Sequence, residues 1–235
     1  MPRALGRGTA TGKLAAGRGR PLWRDHEPPL FFTTCTDDAV ARWLGRLGVS
    51  MSRLVDGRNL ALVRGGRLLF ERLDLGLDPG DAVRLVGANG CGKSSLIRLV
   101  AGLLRPAAGT IERAEAALAD EALALDRDQP LGRALAWWRG ARLSEAMIAF
   151  GLESLAEVPV RILSTGQARR ARLARVMASG APLWLIDEPL NGLDRDGVKR
   201  LDRAIADHRA SGGAVLAASH VALDGPGWIE RDPSR

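Results

Sequence analysis

A glycine-rich octapeptide, Gly-Ala-Asn-Gly-Cys-Gly-Lys-Ser at residues 87–94, constrains the fold of this chain more than any other segment. An apolar run at 82–86 precedes it and a largely apolar run follows to 104, which predicts a strand, a tight loop and a helix. Glycines at this spacing let the backbone curl until successive N–H groups point at a phosphate. The segment therefore predicts a P-loop nucleotide hydrolase with an α/β fold, since a chance glycine-rich turn needs neither flanking element.

Each residue of this loop is a candidate nucleotide ligand. Lys93 is expected to reach the β- and γ-phosphates of ATP, and Ser94 to offer its hydroxyl to Mg²⁺. The helix that starts here adds the positive end of its dipole. The predicted nucleotide-binding residues of the loop are Gly87, Ala88, Asn89, Gly90, Cys91, Gly92, Lys93, Ser94 and Ser95.

A carboxylate pair ends a second apolar run, Leu-Trp-Leu-Ile-Asp-Glu at residues 183–188. Asp187 follows four apolar residues, which places it at the carboxyl end of a buried strand, where open α/β sheets bind their ligands. We expect Asp187 to hold Mg²⁺ through water and Glu188 to polarise the attacking water. Lys93 and Glu188 are therefore predicted catalytic residues.

The pentapeptide Leu-Ser-Thr-Gly-Gln at residues 163–167 predicts the start of a helix, because Ser164 and Gln167 have the spacing of a capping box. The amino-terminal end of such a helix attracts anions, here the γ-phosphate of ATP. The arginines that follow on this helix are expected to form a largely solvated face; they are Arg169, Arg170, Arg172 and Arg175.

The remaining pattern divides the chain into parts. The first 50 residues, which carry eight basic and four acidic side chains, predict an extension that is disordered or precedes the physiological start at Met51. Apolar runs at 60–63 and 68–70, split by Gly65-Gly66, predict a hairpin in a small antiparallel subdomain. Residues 115–160 are rich in Ala and Leu with helical spacing, so 115–175 is predicted as an inserted helical subdomain. Strands at 183–186, 214–218 and 228–229, separated by helices, predict a parallel sheet.

Composition excludes several classes of protein. No uncharged apolar run approaches the ~18 residues that cross a bilayer, and the amino terminus has no secretory signal. Two cysteines, Cys35 and Cys91, form no disulfide framework and fit a reducing cytosol. The net charge of +7 comes from a basic set with only three lysines, which indicates a coding bias toward arginine, so we predict no nucleic-acid partner.

Residues 51–224 resemble the ATP-binding cassette of ABC transporters, a RecA-like domain. The motif order is complete: the P-loop, the pentapeptide at 163–167 as signature, Asp187-Glu188, Leu193-Asp194, and Ser219-His220 as switch. The segments 65–70, 163–175 and 183–189 are most similar to the CcmA subfamily, the ATPase subunits of the haem exporter in c-type cytochrome maturation.

The resemblance implies partners and further site residues. Two copies are expected to dimerise head to tail, so that Ser164, Thr165, Gly166 and Gln167 contact ATP bound by the other copy, and His220 is expected to contact the γ-phosphate as a catalytic residue. A multispanning permease of the CcmB/CcmC type is expected at the cytoplasmic side of a bacterial inner membrane, with the ATPase peripheral to it. ATP hydrolysis would drive release of a holo-haem chaperone. We expect docking through 130–160, where the large apolar side chains are Trp137, Trp138 and Phe150.

Two positions depart from the family pattern. Arg64 stands 29 residues before Lys93, where most cassettes stack an aromatic ring on adenine, and this chain has no Tyr. Because a guanidinium also stacks on rings, Arg64 is our candidate for base binding. Gln129 is the candidate for the metal-contacting glutamine that cassettes carry between Lys93 and Ser164.

Two alternative functions stay open from the sequence alone. The first is an ABC ATPase for another exported substrate, such as a lipoprotein or a small solute. The second is a cassette protein of DNA repair or translation that has no permease. Such proteins usually carry coiled-coil insertions or two cassettes, whereas this chain has one P-loop, one signature and no heptad stretch.

Overall fold

The computed structural model describes residues 53–121, 124–137 and 142–234. A three-stranded antiparallel sheet contains β1 (Val55–Arg64), β2 (Arg67–Leu77) and β4 (Ala108–Arg113), in the order β2-β1-β4. Gly65 and Gly66 both have positive φ in the two-residue turn that joins β1 to β2, as tight hairpins require. The predicted hairpin is confirmed.

A five-stranded parallel sheet contains the phosphate-loop strand. Its members, in spatial order, are β5 (Ala116–Ala119), β6 (Leu183–Asp187), β7 (Ala214–Ala218), β3 (Ala82–Leu85) and β8 (Trp228–Arg231). All residues of β6 and β7 are buried, as expected for central strands covered on both faces. The predicted α/β fold with parallel and antiparallel sheets is confirmed.

In the described ranges of the chain, five helices accompany these sheets. They are α1 (Lys93–Val100), α2 (Leu131–Ala136), α3 (Leu143–Ala149), α4 (Thr165–Ala178) and α5 (Arg195–Ala210), with short 3₁₀ turns at Glu153–Leu155 and Val160–Ile162. The helix behind the phosphate loop ends earlier than its apolar run predicted, because Gly102 adopts a φ of 80° two residues after Val100. None of the helices in the described ranges is long and apolar enough to cross a membrane.

The two faces of the parallel sheet bury different parts of the chain. Leu183 and Leu185 of β6 pack into a cluster with the antiparallel sheet and α1. Trp184 and Ile186, which point the other way because side chains alternate along a strand, pack into a cluster with α2 to α5. Phe150 is fully buried in this second cluster.

Two sequence predictions are wrong at this level. Residues 116–119 were assigned helical spacing but form β5, the edge strand that pairs with β6. Phe150 was predicted to anchor a partner, but it is a core residue with no exposed surface. The division into 1–50 and 51–235 stays a prediction.

Candidate nucleotide site

The phosphate loop curls around the ammonium group of Lys93. Gly87, Gly90 and Gly92 have φ values of 126°, 79° and 108°, which side chains with a Cβ rarely adopt. Lys93 Nζ donates to the carbonyl oxygens of Gly87 at 2.8 Å and Ala88 at 3.1 Å. An ammonium has three donors, so these bonds fix the side chain and leave a donor for a phosphate oxygen.

The antiparallel sheet supports this loop from below. A Cβ built on Gly92 would lie 3.2 Å from the ring of Phe70 and 3.4 Å from the Cβ of Leu69. Phe70 is buried in β2, so the loop rests directly on a fixed aromatic ring. Gly92 is thus required both for its φ and for this close approach.

Two oxygen groups meet where α1 faces the end of β6. Ser94 Oγ donates to Asp187 Oδ1 at 3.0 Å. Asp187 is buried, and loss of hydration raises its pKa although the bond from Ser94 opposes the shift. A hydroxyl next to a carboxylate is the hard oxygen set that Mg²⁺ takes when a nucleotide supplies its other ligands. The residues present therefore fit the predicted metal.

Glu188 extends from the sheet beside His220. Its N–H donates to the carbonyl of Ala218 at 2.9 Å, which continues the ladder between β6 and β7. Glu188 Oε1 lies 3.4 Å from His220 Nε2, so a protonated imidazole there would form an ion pair. The Glu188 side chain is 22% exposed and that of His220 is 49% exposed, so both reach a solvent-filled space.

One cavity of about 370 Å³ brings the separate motifs together. Its walls come from the β1–β2 hairpin, the phosphate loop, the start of α1 and the ends of β6 and β7. The lining residues are Arg64, Gly65, Leu69, Asn89, Gly90, Gly92, Lys93, Ser94, Ser95, Glu188 and His220. The structure thus places the predicted loop, Glu188, His220 and Arg64 around a common space.

The signature residues lie at the start of α4. Gln167 N–H donates to Ser164 Oγ at 3.3 Å, and Ser164 N–H donates to Gln167 Oε1 at 2.8 Å. The predicted capping box is confirmed. Ser164 and Thr165 are exposed and Gly166 is half-buried. Thr165 lines a different cavity of about 360 Å³, which it shares with Glu121, Arg169, Arg172 and Glu188.

The structure does not bring Gln129 to this site. Its carbonyl accepts a bond from Val160 N–H, and the residue lines a cavity of about 470 Å³ beside Trp137.

Glu121 lies near Glu188 instead, because the parallel register pairs Ala119 with Ile186 and Glu121 follows β5 by two residues. This position of Glu121 was not predicted, since residues 116–119 were assigned to a helix.

Two arginines of α4 are core residues, which corrects the predicted solvated face. Arg172 and Arg175 are buried, with 7% and 6% exposure. Arg172 donates to the carbonyl of Asp120 and Arg175 to that of Leu118, so α4 is tied to β5. Burial lowers the pKa of both guanidinium groups, and the nearby Asp120 carboxylate opposes the shift.

The phosphate loop, the Ser94–Asp187 oxygen pair and the Glu188 carboxylate on a parallel sheet define a nucleotide hydrolase of the P-loop class. The sequence matches the ABC transporter family over residues 70–191, and the chain belongs to that family. It is an ATP-binding domain with ATPase activity. The family resemblance predicted from the motifs is confirmed.

Two curated proteins and one solved structure illustrate which members of the family this chain is similar to. The cytochrome c biogenesis ATP-binding export protein CcmA of Sphingopyxis alaskensis is 57% identical over 171 residues, which are 70% of this chain and 88% of the relative. The protein of the same name from Novosphingobium aromaticivorans is 58% identical over 167 residues, 70% of this chain and 87% of the relative. A solved structure described as an ATP binding subunit of an ABC transporter has 25% identity and a TM-score of 0.67, and it covers 72% of this chain and 80% of its own.

Proposed function

We propose that this chain is the ATP-hydrolysing subunit of an ABC export complex that serves c-type cytochrome biogenesis through haem export. The observation that carries the proposal is the 57% identity to a protein named for that process, across 88% of the relative's length. The two alternatives, another exported substrate and a permease-free cassette protein, have no comparable relative among these.

The first step is nucleotide binding by the phosphate loop. Main-chain N–H groups at the start of α1 and the Lys93 ammonium receive the β- and γ-phosphates. Ser94 and Asp187 would hold Mg²⁺, which supplies charge neutralisation on the phosphate oxygens. Because the Asp187 carboxylate is buried and hydrogen-bonded to Ser94, its position is already fixed before the metal and the nucleotide bind.

Glu188 is the residue that orients and polarises the attacking water. Its carboxylate faces the cavity that Lys93 lines, and its main chain is fixed by the bond to Ala218. His220 lies 3.4 Å from that carboxylate and lines the same cavity, so it is positioned to donate to a phosphate oxygen as charge develops. The proposed catalytic set consists of Glu188, His220 and Lys93, in which Lys93 binds the transferred phosphate.

A second copy of the chain completes the site. We infer that the signature residues Ser164, Thr165, Gly166 and Gln167 contact ATP held by the other copy in a head-to-tail homodimer. Support comes from the exposed amino-terminal end of α4 and from the cavity beside Thr165, which shares Glu188 with the phosphate-loop cavity but none of its other lining residues. Two ATP molecules would then lie between each phosphate loop and the opposite signature.

The partner in the membrane is proposed to be a multispanning permease of the CcmB/CcmC type, at the cytoplasmic side of a bacterial inner membrane. No nucleic-acid partner is proposed. Trp137 directly follows the last residue of α2, and it is 85% exposed. This exposed aromatic side chain supports the predicted docking region. Trp138, the other predicted anchor, lies outside the described residues.

A genetic test addresses the biological role. A strain without this gene should lose membrane c-type cytochromes by haem staining, and a plasmid copy of the wild-type gene should restore them. Lys93→Ala, made at equal protein level, should not restore them and should leave haem on its chaperone. Normal c-type cytochromes in the deleted strain would contradict the proposed role while leaving the ATPase assignment intact.

A further inference from the structure

The guanidinium of Arg64 lies at the phosphate loop, although its place in the sequence pattern pointed to the nucleobase. Arg64 is the last residue of β1, and its Nη1 donates to Ser95 Oγ at 3.3 Å. Ser95 is buried in the first turn of α1, two residues after Lys93. The bond therefore holds the Arg64 charge at the end of α1 where phosphates bind.

Arg64 and Lys93 place two cations on one cavity. Both line the 370 Å³ space together with Ser94 and Ser95, while Glu188 and His220 lie on another part of its wall. A guanidinium presents a planar set of donors that matches phosphate oxygens, and such charge-assisted bonds are stronger than neutral ones. The negative charge of a nucleoside triphosphate lies on its phosphate groups, so these groups attract both the Arg64 guanidinium and the Lys93 ammonium.

The side of the cavity next to Arg64 offers little for a base to stack on. None of its eleven described lining residues is Phe, Trp or Tyr, and Leu69 is the apolar residue there. Within the described part of the chain, a Cβ built on Gly65 or Gly66 would meet no atom within 4 Å. The two glycines of the hairpin turn therefore offer no side chain for a base to stack on.

We propose that Arg64 binds the phosphate chain of the nucleotide rather than its base, and that the site consequently distinguishes weakly among nucleoside triphosphates. This inference rests on the proposed function, since it assumes a triphosphate bound at the loop. It replaces the base-stacking role that the sequence pattern assigned to Arg64.

Inorganic tripolyphosphate, which has no base, separates the two roles. Titration calorimetry of the purified full-length chain with ATP, GTP and tripolyphosphate, each with Mg²⁺, gives three dissociation constants. The wild-type values for ATP and GTP should agree within about threefold. Arg64→Ala should weaken all three ligands by about tenfold, the effect of one charge-assisted hydrogen bond. Arg64→Lys, which keeps the charge, should recover part of the loss.

Arg67 provides the matched control. It pairs with Arg64 across the same hairpin and is exposed, but it does not line the cavity. Arg67→Ala should leave the three dissociation constants unchanged. The proposal is overturned if Arg64→Ala weakens ATP and GTP but not tripolyphosphate, or weakens none of them, or if wild type prefers ATP to GTP more than tenfold. Failure of wild type to bind any triphosphate would instead contradict the proposed function.

Discussion

At the scale of single residues, the backbone of Glu188 shows how the site is fixed. Glu188 has a φ of 48°, a left-handed conformation that costs a residue with a side chain about 1–3 kcal/mol. The bond from its N–H to Ala218 and the ladder between β6 and β7 hold it there. The strain turns the chain directly after Asp187, so the adjacent carboxylates meet different groups: Asp187 lies beside the Ser94 hydroxyl and Glu188 beside the His220 ring.

Cys91 offers a chemical test of the loop at the same scale. It is half-buried, and its Sγ would lie 2.9 Å from a Cβ built on Gly87, inside the curl of the loop. We predict that a maleimide abolishes ATPase activity, because the adduct obstructs the phosphates, and that Mg-ATP protects. Cys91→Ala should remain active and resist the reagent. An alanine variant as sensitive as wild type would show that the modified group lies elsewhere.

At the scale of elements, α4 joins the signature to the edge of the parallel sheet. Its first turn carries the capping box, and its buried arginines bond to carbonyl groups in and after β5. Removal of one of these buried guanidinium groups would leave a void and would take a hydrogen-bond donor away from the carbonyl group that it contacts. The position of α4 therefore depends on Arg172 and Arg175, two side chains that the sequence pattern predicted to be exposed to solvent.

Arg175→Ala should lower the free energy of unfolding by about 2–3 kcal/mol, the usual cost of breaking a buried hydrogen bond and removing packed atoms. Arg203→Ala on α5 is the matched control, since Arg203 is exposed, and should change stability by less than about 0.5 kcal/mol. Urea denaturation followed by circular dichroism measures both. Equal, small effects would place Arg175 on the solvated face after all.

The same elements show what the sequence could and could not predict. β6 and β7 were predicted because a central parallel strand must be apolar on both faces. β5 was missed because Ala-Ala-Leu-Ala has the composition of a helix, and only its pairing with β6 makes it a strand. That error also concealed Glu121, whose place near Glu188 follows from the register. Gln129 was chosen because it is the only glutamine between Lys93 and Ser164 in the sequence, and the structure leaves it in another cavity.

At the scale of the whole molecule, a buried histidine links stability to pH. His208 of α5 stacks on Trp184 with ring centroids 4.0 Å apart, and its Nε2 lies 3.1 Å from the carbonyl oxygen of Pro182. Burial lowers its pKa to about 4, and the main-chain bonds only partly oppose this. Its ordinary value is near 6.5. The unfolded chain therefore binds more protons than the native chain between these pH values.

Stability should consequently fall as the pH is lowered from about 6.5 to about 4, by roughly 3 kcal/mol from this group. Denaturant unfolding measured at pH 7, 6, 5 and 4 reports the loss. His208→Gln, which keeps a donor near Pro182 but does not titrate, should show a shallower fall. Parallel curves for wild type and His208→Gln would contradict the buried, neutral state of His208.

Phosphate release by the Glu188→Gln variant shows whether these motifs form an ATPase in which Glu188 activates water. The glutamine keeps the shape of the side chain but cannot polarise water as a carboxylate does. We predict turnover at least about 100-fold below wild type, an ATP dissociation constant within about twofold, and an ATP-dependent dimer by light scattering. A variant that hydrolyses ATP at the wild-type rate would contradict the account.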